Sequence, residues 1–132
     1  VAAAASGRLI EYVNTENFPG ATGGHYFYTV NANEADGLLA LQAVPVPTTV
    51  QQWNCEQLAF AATPAVEQAD GARSCPRGRT PVHRAYNNAW NGGVRNPWDS
   101  NHRYSTNPAV ILTMVQSYGW ADEGVVYCAL PG

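Results

Sequence analysis

Arg84-Ala85-Tyr86-Asn87, then His102-Arg103-Tyr104-Ser105-Thr106, then Trp120-Ala121-Asp122-Glu123-Gly124-Val125-Val126-Tyr127 each answer to a segment of the first half, in the same order. The earlier segments are Glu11-Tyr12-Val13-Asn14, His25-Tyr26-Phe27-Tyr28-Thr29 and Trp53-Asn54-Cys55-Glu56-Gln57-Leu58-Ala59-Phe60. A side chain kept in both copies of an internal repeat is architectural before it is catalytic. His25 and His102, Trp53 and Trp120, and Glu56 and Glu123 therefore read as structural repeat residues. What each copy has alone becomes the place to look for function.

Each copy reads as strand, loop, strand, helix, strand. The first strands are Leu9–Val13 and Val82–Tyr86, the second His25–Thr29 and His102–Thr106, the last Gln57–Ala61 and Val125–Ala129. Period-two alternation puts His102, Tyr104 and Thr106 on one face and Arg103 and Ser105 on the other. The helix of copy two is the clearest element: Asn107 caps it, Pro108 suits its first position, and Ile111, Met114, Val115 and Tyr118 share a face. Gly119 suits the position just past its end. Copy one offers a weaker helix from Glu34 to about Gln42, with Gly37 inside it. The expected fold is α+β: one domain over residues 1–132, made of two pseudo-symmetric strand–strand–helix–strand repeats with antiparallel sheet. Repeat one spans about 9–62, a polar linker 63–80, and repeat two about 81–131.

Composition narrows the function classes. At 132 residues the chain suits one domain with a real core. Only 13% of residues are charged, so Asn, Thr, Gln and Ser must supply the polar surface. Residues 1–70 sum to −6, residues 71–107 to +5, and the whole chain to −3, with seven Arg and no Lys. A net acidic chain without a basic run is a poor partner for nucleic acid. The basic segment suits an acidic glycan, the acidic half of a neighbouring copy, or simply solvent. No stretch of 18 apolar residues suggests a membrane span. No signal segment is present at residue 1, and Val1-Ala2-Ala3-Ala4-Ala5-Ser6-Gly7 fits the start left after removal of one.

The three cysteines are Cys55, Cys75 and Cys128. A Cys75–Cys128 bridge would close the second copy, and Cys55–Cys75 competes with it. The spacing fits no zinc pattern, and no cofactor motif is present.

His102 with Asp99 three residues before it has the form of an oriented base, but copy one holds Thr22 there and no nucleophile accompanies both copies. A general-acid pair would need Glu56 and Glu123 close together, which symmetric copies give no reason to expect, and a structural salt bridge to Arg suits them. Asp99-Ser100-Asn101 offers too few oxygens for calcium and suits an Asx turn. Trp90 and Trp98 belong to copy two alone, in a Gly- and Asn-rich loop with Asn91, Arg95 and Asp99, and with Arg103 nearby. Flat aromatics beside Asn, Asp and Arg suit a sugar, whose apolar face stacks while its hydroxyls are hydrogen-bonded. These six are the candidate ligand-binding residues. Two functions follow: a non-catalytic extracellular or cell-surface module binding a glycan or surface polymer, or a self-associating structural subunit of a filament or surface layer.

Several stretches resemble a known family. Cys75-Pro76-x-Gly78-x-x-Pro81-Val82-x-Arg84-x-Tyr86-Asn87, Asp99-Ser100-Asn101-His102-Arg103-Tyr104-Ser105-Thr106 and Gly119-Trp120-x-x-Glu123-Gly124-Val125-Val126-x-Cys128 resemble a bacterial secreted repeat module of unknown function found at the ends of exported proteins. Glu11-Tyr12-x-Asn14 with Gly23-Gly24-His25-Tyr26-Phe27-Tyr28-Thr29 is similar to its upstream unit. The resemblance implies export and a non-catalytic role. It also implies Cys75–Cys128 as the paired cysteines.

Overall fold

The alternating segments become strands and the two longer-period segments become helices. The structure is a computed structural model and describes residues 8–14, 25–42, 54–88 and 101–130. The elements are β1 (Arg8–Asn14), β2 (His25–Thr29), α1 (Ala32–Gln42), β3 (Asn54–Pro64), β4 (Val66–Glu67), β5 (Arg73–Ser74), β6 (Thr80–Tyr86), β7 (His102–Ser105), α2 (Pro108–Tyr118) and β8 (Ala121–Ala129). The α+β class expected from the sequence is the class observed.

Six strands pair antiparallel in the order β2-β1-β3-β8-β6-β7. In both halves the first strand lies in the middle, the second outside it and the last at the centre of the sheet. Two register shifts interrupt β1 against β3, between Leu9 and Ile10 and between Glu11 and Tyr12. Two more interrupt β6 against β8, between Val82 and His83 and between Arg84 and Ala85. The second shift of each pair passes over Glu56 in β3 and Glu123 in β8. A bulge of this kind adds a residue, bends the strand and re-aims a side chain. Gly124, next to the bulged Glu123, takes φ +72°, a backbone conformation that glycine reaches without steric cost.

Although β2 and β7 are the two edges of the pairing order, they touch each other. The sheet therefore curls, and its inner surface collects Val30, Ala62, Val82, Val126 and Tyr127, with Tyr28, Tyr104 and Ala129 packed against them. Helix α1 lies against β2 and β3, and α2 against β6, β7 and β8, burying Ile111 and Met114. Tyr118, in the last turn of α2, stays exposed.

Both helices start on an asparagine. Asn107 Oδ1 accepts from Ala109 N–H at 3.0 Å, and Asn31 Oδ1 accepts from Asn33 N–H at 2.9 Å. The preceding hydroxyls, Thr29 and Ser105, accept from the N–H groups of Asn31 and Asn107. These caps align Tyr28-Thr29-Val30-Asn31 with Tyr104-Ser105-Thr106-Asn107. That is one residue away from a match made on His25 and His102. Strand pairing agrees: Asn14 faces His25, but Tyr86 faces His102 and Val13 faces Tyr26. His102 thus stands level with Tyr26, and the two histidines are not structural equivalents.

Three other expectations need correction. The linker 63–80 is not a plain connection: β3 runs into it as far as Pro64, and it holds the β4–β5 ribbon, closed by Gly71 N–H donating to Gln68 O. Helix α1 begins at Ala32 rather than Glu34, because Asn31 caps it. Trp120 is half-buried rather than a core residue, since it follows the helix end set by Gly119 at φ +72° and donates its N–H to Met114 O. Trp53 lies outside the described residues.

Cys75 and Cys128 are disulfide-bonded, with Cα atoms 5.7 Å apart in space and the residues 53 positions apart in sequence. The bond fixes the segment after β5 to the central strand β8, where Cys128 is fully buried. Closing a loop of this length in the unfolded chain is worth about 4 kcal/mol in the chain-entropy model. Replacing both cysteines with Ala should lower the unfolding free energy by about 2–5 kcal/mol in urea titration; an unchanged midpoint and slope would contradict that contribution.

Candidate functional site

Arg84 lies in the middle of β6 with only 6% of its side chain exposed. A buried guanidinium needs compensating charge. Glu34 from α1 supplies one carboxylate, Oε2 at 2.8 Å from Nη2, and Glu123 from the β8 bulge a second, Oε1 at 2.9 Å from Nε. The guanidinium carbon sits 4.6 Å from the centre of the Phe27 ring, a cation–π contact from β2. Nη1 is buried and meets no acceptor among the described residues.

The carboxylates are themselves held. Glu34 Oε1 accepts from the Thr29 hydroxyl at 2.8 Å, and Glu123 Oε1 lies 3.2 Å from His102 Nε2. The His102 ring stacks on Tyr86 and meets the Phe27 ring edge-on. His102 thus reaches the Arg84 cluster through the carboxylate of Glu123. Glu34 was not singled out from the sequence. Its place three residues after the Asn31 cap suits a local capping role, whereas its carboxylate reaches across to Arg84.

A second link joins the sheet edges. Tyr104 Oη accepts from Tyr28 N–H at 3.0 Å and lies 3.3 Å from Tyr28 O, while the two rings meet edge-on. Burial pushes the Tyr127 hydroxyl up to about 12 and raises Tyr104 as well. Both phenols are therefore neutral at physiological pH, and Tyr104 keeps the proton it needs to donate to Tyr28 O. For Glu123, burial opposes ionisation, but the hydrogen bond from His102 and the Arg84 charge outweigh it and hold the carboxyl below its usual range.

Of the six candidate ligand-binding residues, Arg103 is exposed on β7. Trp90, Asn91, Arg95, Trp98 and Asp99 lie outside the described residues. The ends of their segment are described. Asn87 N–H donates to Asn101 O at 3.1 Å, and Asn101 N–H donates to Asn87 Oδ1 at 3.2 Å. Asn87 is buried, and Asn88 beyond it adopts φ +57°, which asparagine tolerates better than most residues. His25 and Glu56 are placed by backbone register alone. Among the described residues no group of three or more His, Cys, Asp and Glu is arranged to hold a metal ion. None of the described helices is long and apolar enough to cross a membrane.

A disulfide-linked α+β domain, with an arginine cluster inside a curled antiparallel sheet and a long hairpin connection held at its base, is the class these features define. The chain belongs to the family described as a domain of unknown function (DUF5648), which it matches over residues 17–130. Comparison with curated proteins and with solved structures gives no match.

Three outcomes follow from the cluster and the tyrosine link. A carboxylate whose folded pKa is depressed stabilises the fold above its unfolded value, and that contribution is lost as pH falls through the folded pKa. Urea unfolding should therefore show wild-type stability falling below about pH 5. Glu123→Gln should be about 1–2 kcal/mol weaker at pH 7 and depend less on pH; a variant with the wild-type pH profile would exclude Glu123 as a contributor. Tyr104→Phe leaves Tyr28 N–H without this acceptor and should cost about 1–3 kcal/mol by the same measurement; a neutral effect would show that the hydroxyl link is dispensable.

Proposed function

We propose that this domain is a non-catalytic extracellular binding module for a glycan or cell-surface polymer, read through the segment joining β6 to β7. Trp90 and Trp98 would stack on sugar rings, with Asn91, Arg95, Asp99 and Arg103 hydrogen-bonding hydroxyls. The observation that carries this reading is the base of that segment. The buried Asn87 and its partner Asn101 close the hairpin end on a sheet held by Arg84, Glu123 and His102. Binding residues are commonly carried on loops positioned by a rigid scaffold of this sort. Behind the base, Arg84, His102 and Glu123 are engaged with one another, which suits a scaffold rather than a reaction centre.

The Cys75–Cys128 bond supports an oxidising, extracellular setting. The shared connectivity of residues 8–64 and 80–129 supports two copies of one unit, of which the second carries the longer connection between its first two strands.

Retention on insoluble cellulose, chitin and isolated bacterial cell wall tests the reading. The wild-type protein should be held by at least one of them, and Trp90→Ala with Trp98→Ala should abolish retention while the circular dichroism spectrum is kept. Unaltered retention in that variant, or no retention of the wild type on any of the three, would overturn it.

A further inference from the structure

Arginine is unevenly placed in this chain. Residues 1–70 carry one, Arg8, whereas Arg73, Arg77 and Arg79 fall within seven positions. Between residues 71 and 88 there is no acid at all. The described arginines have different surroundings. Arg84 is buried between Glu34 and Glu123. Arg73 faces Glu67 across the β4–β5 ribbon and donates to the backbone carbonyl of Glu123. Arg77 and Arg79 take part in no ion pair among the described residues, and Arg77 is exposed while Arg79 is half-buried.

The backbone that carries them is fixed at several points. Arg79 N–H donates to Pro76 O at 3.1 Å, closing a turn over residues 76–79 in which Gly78 takes φ +82°. That φ is what the third position of a type II turn requires. Cys75, just before the turn, is bonded to Cys128, and Thr80, just after it, pairs with Ala129. Among the described residues, no heavy atom beyond the chain neighbours comes within 4 Å of the place a Cβ on Gly78 would occupy.

We propose that this turn is an anion-recognition surface for an acidic polysaccharide, with Arg77 and Arg79 gripping uronate carboxylates. A guanidinium presents a planar fork matched to a carboxylate, which the point charge of lysine does not. Backbone fixed in advance lowers the ordering cost of binding. Two arginines neutralise too few phosphates to hold a duplex, whose binding draws on many basic contacts. The turn precedes β6 in the chain, whereas the segment carrying Trp90 and Trp98 follows it.

Retention of the full chain on immobilised polygalacturonate, with neutral dextran and duplex DNA beside it, tests the proposal. Wild type should be held on polygalacturonate, released by salt, and not held on dextran. Arg77→Ala with Arg79→Ala should weaken retention at least about tenfold with an unchanged melting temperature. Arg77→Lys with Arg79→Lys should fall between the two, and Trp90→Ala with Trp98→Ala should bind polygalacturonate as the wild type does. Equal retention of the Ala double variant, equal retention on dextran, full rescue by lysine, loss in the tryptophan variant, or DNA held as well as polygalacturonate would each overturn it. So would light scattering showing a dimer that dissociates in the Ala double variant, since the turn would then meet a second copy.

Discussion

Arg84 is the constraint on which the arrangement depends. A guanidinium in the interior is tolerable only with counter-charge beside it, and the counter-charges come from distant parts of the chain: Glu34 from α1, Glu123 from β8 and the ring face of Phe27 from β2. The pairing between the central strands is short by comparison, joining Ala62, Thr63 and Pro64 to Ala129, Cys128 and Tyr127. Arg84 and the Tyr104–Tyr28 link thus hold together two halves that the sheet alone joins over three residue pairs.

The backbone irregularities make this cluster possible. The register shift beside Gly124 passes over Glu123, whose carboxylate meets Arg84. Gly124 N–H donates to Asp122 Oδ1, and Arg73 donates to the Glu123 carbonyl, so the bulge is tied to the β4–β5 ribbon as well. The ribbon is anchored to the same strand by the disulfide. An element that reads as a linker is therefore part of what shapes the cluster.

Much of this was legible in the sequence, for reasons that can be named. The α2 segment carried its own cap, proline and terminal glycine, and the structure follows them over Pro108–Tyr118. The α+β class followed from alternating and helical periods. The resemblance implied the cysteine pair, which the residues alone left between two possibilities. Register was not legible: His25 and His102 invite a match that the caps at Asn31 and Asn107 shift by one residue. Nor was the partnership of Glu34 with Arg84, 50 positions apart, because no local pattern announces a contact made only when the sheet curls. Trp120, matched in the repeat and expected inside, stands instead at the helix exit.

The central claim is that Arg84 and its partners make the two halves one cooperative unit. Native-state hydrogen exchange with rising denaturant measures this directly, strand by strand. The amides of β1 and β3 and those of β6 and β8 should converge on one opening free energy in the wild type and separate into two in Arg84→Met. Two distinct opening free energies already present in the wild type, unaltered by that substitution, would contradict the account.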